Sequence, residues 1–247
     1  MVESAGQQTL DSIAERIIVP LDVPTEAAAI ALVQSIPQVT FWKVGLELFV
    51  SSGPAILKTL KAQNKKIFLD LKLHDIPNTM AGAAKAVGRY GVDLLTVHAA
   101  AGESALVATQ AAAEEGAKMA GYASPKVIAV TLLTSINSGA LSDELQISAS
   151  VAEYARRMAA LAASSGLAGA VCSPHEAEQL RADCGSAFLL VCPGVRPSWA
   201  QKGDQQRAMT PQQAMASGAD YLVIGRPITQ AQTPAAAFEK ICQEIAA

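Results

Sequence analysis

Short β-branched runs alternate with longer alanine-rich stretches from one end of the chain to the other, and this rhythm constrains the fold more than any other feature. The strand candidates are Arg16–Leu21, Phe41–Val44, Lys66–Leu71, Leu94–Val97, Lys126–Thr131, Gly169–Cys172, Phe188–Cys192 and Tyr221–Ile224. Helix-like segments follow them: Thr25–Ser35, Gly53–Gln63, Thr79–Tyr90, Glu103–Glu115, Ser150–Ser164, Pro174–Ala182, Pro211–Ser217 and Pro234–Ala246. Eight β-then-α units of about 30 residues fill the 247 positions, as a single-domain (β/α)8 TIM barrel of the α/β class requires. A doubly wound open sheet is the structural rival. It would normally carry a glycine-rich turn after its first strand, and Leu21-Asp22-Val23-Pro24 is not one. No linker, charge block or low-complexity insert divides the chain, so residues 1–247 read as one domain, with 1–15 a polar N-terminal extension or short helix.

Composition narrows the partners. A hydrophobic fraction of 51% is ample for a barrel core, and only 17% of residues are charged, with a formal net charge of −3. Such a balance offers no electrostatic footprint for nucleic acid or an anionic membrane. An anionic ligand would need a local cluster of cations. The four cysteines (Cys172, Cys184, Cys192 and Cys242) lack C-x-x-C spacing and read as reduced, mostly buried thiols. The first fifteen residues are polar, with acidic Glu3, Asp11 and Glu15, unlike a secretory signal. No apolar run approaches a membrane span, and a soluble, cytoplasmic protein is expected.

In such a barrel, chemistry sits where strands end and the following loops begin. The third strand candidate ends in Asp70-Leu71-Lys72-Leu73-His74-Asp75, which places an ammonium between two carboxylates. Residues i and i+2 of a strand share a face, so Asp70 and Lys72 are expected to point the same way, with Asp75 beyond on a loop. Opposite charges favour the charged form. Lys72 is then a poor nucleophile and a well-placed proton donor. An isolated D-x-K-x-x-D is more often a solvated strand end, since surface ion pairs are common and weak. Here other strand ends add Asp22, Lys43, His98, Thr131 to Thr134, Ser173, Gly194 with Arg196, and Gly225 with Arg226. Polar residues converge on one rim. Two glycine-arginine pairings end the seventh and eighth strands, where these barrels usually bind phosphate. Glycine lets backbone N–H groups approach the oxygens, and arginine offers a planar fork. Ser198 to Met209 forms a long polar loop between them, either a plain surface loop or a lid. No His, Cys and carboxylate set has metal-ligand spacing, and nothing resembles a Ser-His-Asp triad; His74, His98 and His175 read as structural or exposed.

The string Phe68-Leu69-Asp70-Leu71-Lys72-Leu73-His74-Asp75-Ile76-Pro77-Asn78-Thr79 resembles the signature of the orotidine 5′-monophosphate decarboxylases, and the likeness runs from Arg16 to about Gln232. That resemblance implies a homodimer that converts orotidine 5′-monophosphate to UMP without a metal or organic cofactor. It implies an alternating charge chain Lys43–Asp70–Lys72–Asp75, with Lys72 as proton donor to C6 of the pyrimidine. Two unit charges about 4 Å apart interact by about 4 kcal/mol at an effective dielectric of about 20, so such a chain is rigid only if signs alternate. It further implies Asp22 on the ribose, and Thr134 (or Ser135) on the pyrimidine amide edge. Arg196, Gly225 and Arg226 would hold the phosphate, and Gln205 would bridge the closed loop to phosphate and pyrimidine. Asp75 and Thr79 would enter the neighbouring subunit's site. Two rivals stand beside this reading. One is a magnesium-dependent phosphosugar lyase such as 3-keto-L-gulonate 6-phosphate decarboxylase, which shares the surroundings of D-x-K-x-x-D. The other is a non-catalytic nucleotide-binding barrel, which would have no need of Lys72 between two carboxylates.

Overall fold

A computed structural model describes residues 10–200 and 209–247. Eight parallel strands close into a barrel in sequence order: β1 Ile17–Pro20, β2 Phe41–Gly45, β3 Lys66–Leu73, β4 Leu94–His98, β5 Lys126–Val130, β6 Gly169–Val171, β7 Leu189–Pro193 and β8 Tyr221–Val223. Closure is made by β8 on β1, with Ile17 opposite Leu222 and Ile18 opposite Val223. The helices are α1 Glu26–Ser35, α2 Leu46–Ser52, α3 Ala55–Ala62, α4 Pro77–Gly88, α5 Glu103–Ala120, α6 Val151–Ser164, α7 Ala177–Cys184, α8 Pro211–Ala216, α9 Arg226–Thr229 and α10 Pro234–Ala246. Residues 10–14 are helical and precede β1. No helix among the described residues is long and apolar enough to cross a membrane.

The strands are apolar on both faces because both are covered. Ile18, Phe41, Phe68, Leu94, Ile128 and Val191 point inward and pack on one another within the barrel. Their neighbours Ile17, Val19, Trp42, Ile67, Leu69 and Leu95 point outward beneath the helices. Helix starts follow local chemistry. Thr25 accepts the Ala28 N–H, Ser150 accepts the Glu153 N–H, and Thr210 with Gln213 forms a reciprocal capping box ahead of Pro211.

Two expected elements differ. The helix expected over Gly53–Gln63 is preceded by a second one, α2, over Leu46–Ser52, where no element is expected. Gly53, at a φ of +60°, ends α2, and Pro54 opens α3. Helix α4 starts at Pro77 rather than Thr79, with the proline tolerated in its first turn.

Helices α4 and α5 approach closely through two glycines. A Cβ on Gly116 would lie 2.1 Å from the Lys85 carbonyl oxygen, and one on Gly88 would lie 2.3 Å from that of Ala113. Gly116→Ala must therefore push the helices apart, and it is expected to cost about 1–3 kcal/mol despite alanine's better helix propensity. Urea unfolding measures this. An unchanged or raised midpoint would show that the pair separates freely.

Candidate active site

Strand β3 does not remain regular to its end. Phe68 and Leu69 stand opposite Leu94 and Leu95, and the next pairing joins Leu73 to Val97, so β3 uses four steps where β4 uses two. Within this bulge Lys72 adopts a φ of +51°. That conformation is uncommon for a residue with a Cβ, and strain of this kind collects at functional positions. The expected strand alternation therefore does not hold across Asp70 and Lys72, yet the two still meet. Lys72 Nζ donates to both carboxylate oxygens of Asp70 at 2.8 Å.

Thr96, which reading the sequence missed, holds the bulge in place. Its hydroxyl accepts the Lys72 backbone N–H at 2.9 Å and donates to Asp70 Oδ1 at 2.9 Å. The side chain is fully buried. Thr96 lies two residues after inward-facing Leu94, so the signal available was a hydroxyl on the barrel-lining face of an otherwise apolar strand.

Asp70 is 8% exposed, and a second ammonium helps to balance it. Lys43 Nζ lies 3.6 Å from Asp70 Oδ2 and donates to Asp22 Oδ1 at 2.9 Å. The absence of a side chain on Gly45 provides the room, since a Cβ there would stand 3.0 Å from Lys43 Nζ. Within one chain the alternating series is thus Asp22–Lys43–Asp70–Lys72. Asp75 takes no part in it. Its Oδ1 accepts the Ile76 N–H at 2.7 Å, and its side chain is exposed, as is that of Thr79.

A cavity of about 330 Å3 opens above these charges. Asp22, Lys43, Asp70 and Lys72 line one side, and Gly194, Arg196, Gly225 and Arg226 line another. Thr134 reaches it and Ser135 does not. Gly194, at a φ of +81°, turns the chain after β7, and Gly225 leads into α9, which Arg226 begins. The Arg196 N–H donates to the Met209 carbonyl at 3.0 Å, joining the two ends of the polar loop. Gln205 lies outside the described residues.

His98 is half-buried at the end of β4, and its ring centroid is 5.2 Å from that of His74. Burial lowers its pKa, as do the nearby His74 and Lys72, against the opposing pull of Asp70. Neither histidine lines the cavity. Among the described residues no cluster of three or more His, Cys, Asp or Glu side chains is placed to hold a metal ion.

This arrangement suits an anionic ligand spanning the barrel mouth, with its acidic end against the arginines and its reacting atom against Lys72. Comparison with known proteins identifies the family. The description "Orotidine 5′-phosphate decarboxylase / HUMPS family" matches residues 15–241. An orotidine 5′-phosphate decarboxylase of Gloeothece citriformis is 60% identical over 94% of this chain and 98% of its own. One from Moorella thermoacetica is 49% identical over 94% of this chain and 92% of its own. The crystal structure of orotidine 5′-phosphate decarboxylase from Lactobacillus acidophilus superposes with a TM-score of 0.85 at 39% identity, covering 94% of this chain and 100% of that one. By the extent of these matches and the barrel they share, the chain belongs to the orotidine 5′-phosphate decarboxylase / HUMPS family.

Proposed function

We propose that this protein decarboxylates orotidine 5′-monophosphate to UMP and carbon dioxide, the cytoplasmic step that ends de novo UMP synthesis. The observation that carries the reading is the Lys72 ammonium held on buried Asp70, in a cavity that Arg196 and Arg226 also line. In the reaction the bond from C6 to the carboxylate breaks and its electron pair stays on C6. Lys72 then delivers a proton from Nζ to that carbon. Lys43, Asp70 and Thr96 fix the ammonium before substrate arrives, so little reorganisation is left for the chemical step. Beside the departing carboxylate, the charge of Asp70 is relieved as neutral carbon dioxide leaves.

Asp22 takes the ribose, Thr134 the amide edge of the pyrimidine, and Arg196, Gly225 and Arg226 the phosphate, with Gln205 completing the contact from the loop. Phosphate binding lies far from C6, and its energy is available to order the site around the reacting atom. A direct test follows the loss of orotidylate absorbance after exhaustive dialysis against chelator. Turnover is expected to be unchanged. A loss restored by magnesium would favour the phosphosugar lyase instead.

The reading includes an isologous homodimer in which Asp75 and Thr79 complete the partner's site. Both are exposed, and Asp75 engages only the neighbouring Ile76 N–H among the described residues. Val50, at 80%, and Ile76, at 66%, also stand exposed in the segments that follow β2 and β3. When Lys72→Ala and Asp75→Asn chains are mixed and exchange freely, half the dimers are mixed and each has one intact site. About a quarter of wild-type activity should return. If tagged chains exchange and activity stays at the mutant level, Asp75 acts within its own subunit.

A further inference from the structure

The barrel has a second concavity at the opposite end. A cleft of about 340 Å3 lies below the N-terminal ends of the strands, one of about 380 Å3 adjoins it between α3 and the end of α4, and the two share Lys61 and Tyr122 as a common wall. Lys66 and Lys126 line the first, and Lys58 and Arg89 line the second. Five cations thus line the two clefts that share this ring, in a chain whose formal net charge is −3. Two carboxylates face them. Asp93 is engaged by the Ile67 N–H at 2.8 Å, and Glu15 lies 3.3 Å from Lys66 Nζ. Among the described residues Lys58, Lys61 and Lys126 have no ion pair.

The ring is seated rather than loose. Gly91 has a φ of +65°, and a Cβ there would lie 2.8 Å from the Tyr122 ring, so the ring rests against bare backbone. The Tyr122 N–H donates to the Ala117 carbonyl at 3.0 Å, and Lys61 Nζ stands 5.9 Å from the ring centroid. Tyr122 nonetheless stays 46% exposed. A fixed aromatic surface offers stacking at little ordering cost, and cations around it suit phosphate oxygens. Phe41 and Tyr221, in edge contact at 5.6 Å, line the first cleft, and no residue is shared with the rim cavity.

We propose that this end of the barrel is a second, non-catalytic site for a nucleotide carrying more than one phosphate. The base stacks on Tyr122, and the phosphates lie among Lys58, Lys61, Lys66, Lys126 and Arg89. ATP is a suitable probe, with inorganic triphosphate as the arm that lacks a base. Titration calorimetry of the intact protein should show saturable ATP binding at one per chain, with a Kd of about 1 mM or tighter. The double variant Lys61→Glu/Lys126→Glu should weaken both probes by about tenfold or more, and Lys61→Gln/Lys126→Gln serves if the first does not fold. Tyr122→Ser should weaken ATP and leave triphosphate unchanged. Arg226→Ala should leave ATP binding intact. Absence of saturable binding, its persistence in the double variants, its loss in Arg226→Ala, or an equal effect of Tyr122→Ser on both probes would overturn the proposal. Because no readout is turnover, the result is independent of the reaction at the other end.

Discussion

Lys72→Ala should lower orotidylate turnover by about a thousandfold or more, which is about 4 kcal/mol of activation barrier. The substitution removes both the proton for C6 and the positive charge facing the developing carbanion. It also removes the donor to both oxygens of Asp70, leaving that carboxylate to Thr96 and to Lys43 at 3.6 Å. Some loss of stability is therefore expected, and a separation of effects is needed. Thermal unfolding and UMP binding provide it: the variant should fold and retain UMP while turnover collapses. Turnover within about tenfold of wild type, a barrier change under about 1.4 kcal/mol, would remove Lys72 from the chemical step.

Arg226→Ala should weaken the reaction of the phosphorylated substrate by about ten- to a hundredfold, since a hydrogen bond to a charged group contributes about 1.5–3 kcal/mol. The bare nucleoside orotidine has no phosphate to lose contact with, and its slow reaction should change little. Comparing kcat/KM for the two substrates makes the test internal, because a folding defect would affect both alike. Equal losses would mean that Arg226 serves the turn from Gly225 into α9 and not the ligand.

The barrel itself was legible in the sequence because its signal is local and repeated. Each strand is a short apolar run, each helix carries its own periodicity, and neither needs distant contacts to be recognised. Lys43, Asp70, Thr134, Arg196 and Arg226 could likewise be assigned to one rim, since strand ends in a parallel barrel share a face. Helix α2 was not legible, because its seven residues are too few to show a helical period and Gly45 before it supplies no side-chain cap.

The partners within the site were settled by tertiary structure alone. Strand alternation leads to the correct pair, Asp70 and Lys72, for an incorrect reason. Their contact comes from a bulge and a left-handed backbone that only the register against β4 and the hydroxyl of Thr96 define. The charge series likewise ends at Asp22 rather than Asp75 within one chain, because Asp22 lies across the β1–β2 junction from Lys43 while Asp75 lies beyond the end of β3 and caps its neighbour's N–H. Which strands and longer helices form, and which charged residues gather at the strand ends, could be read locally, since those depend on side chains near in the chain. Which of those residues touch was decided by strand register, by the space left at Gly45 and by burial, which are properties of the closed barrel.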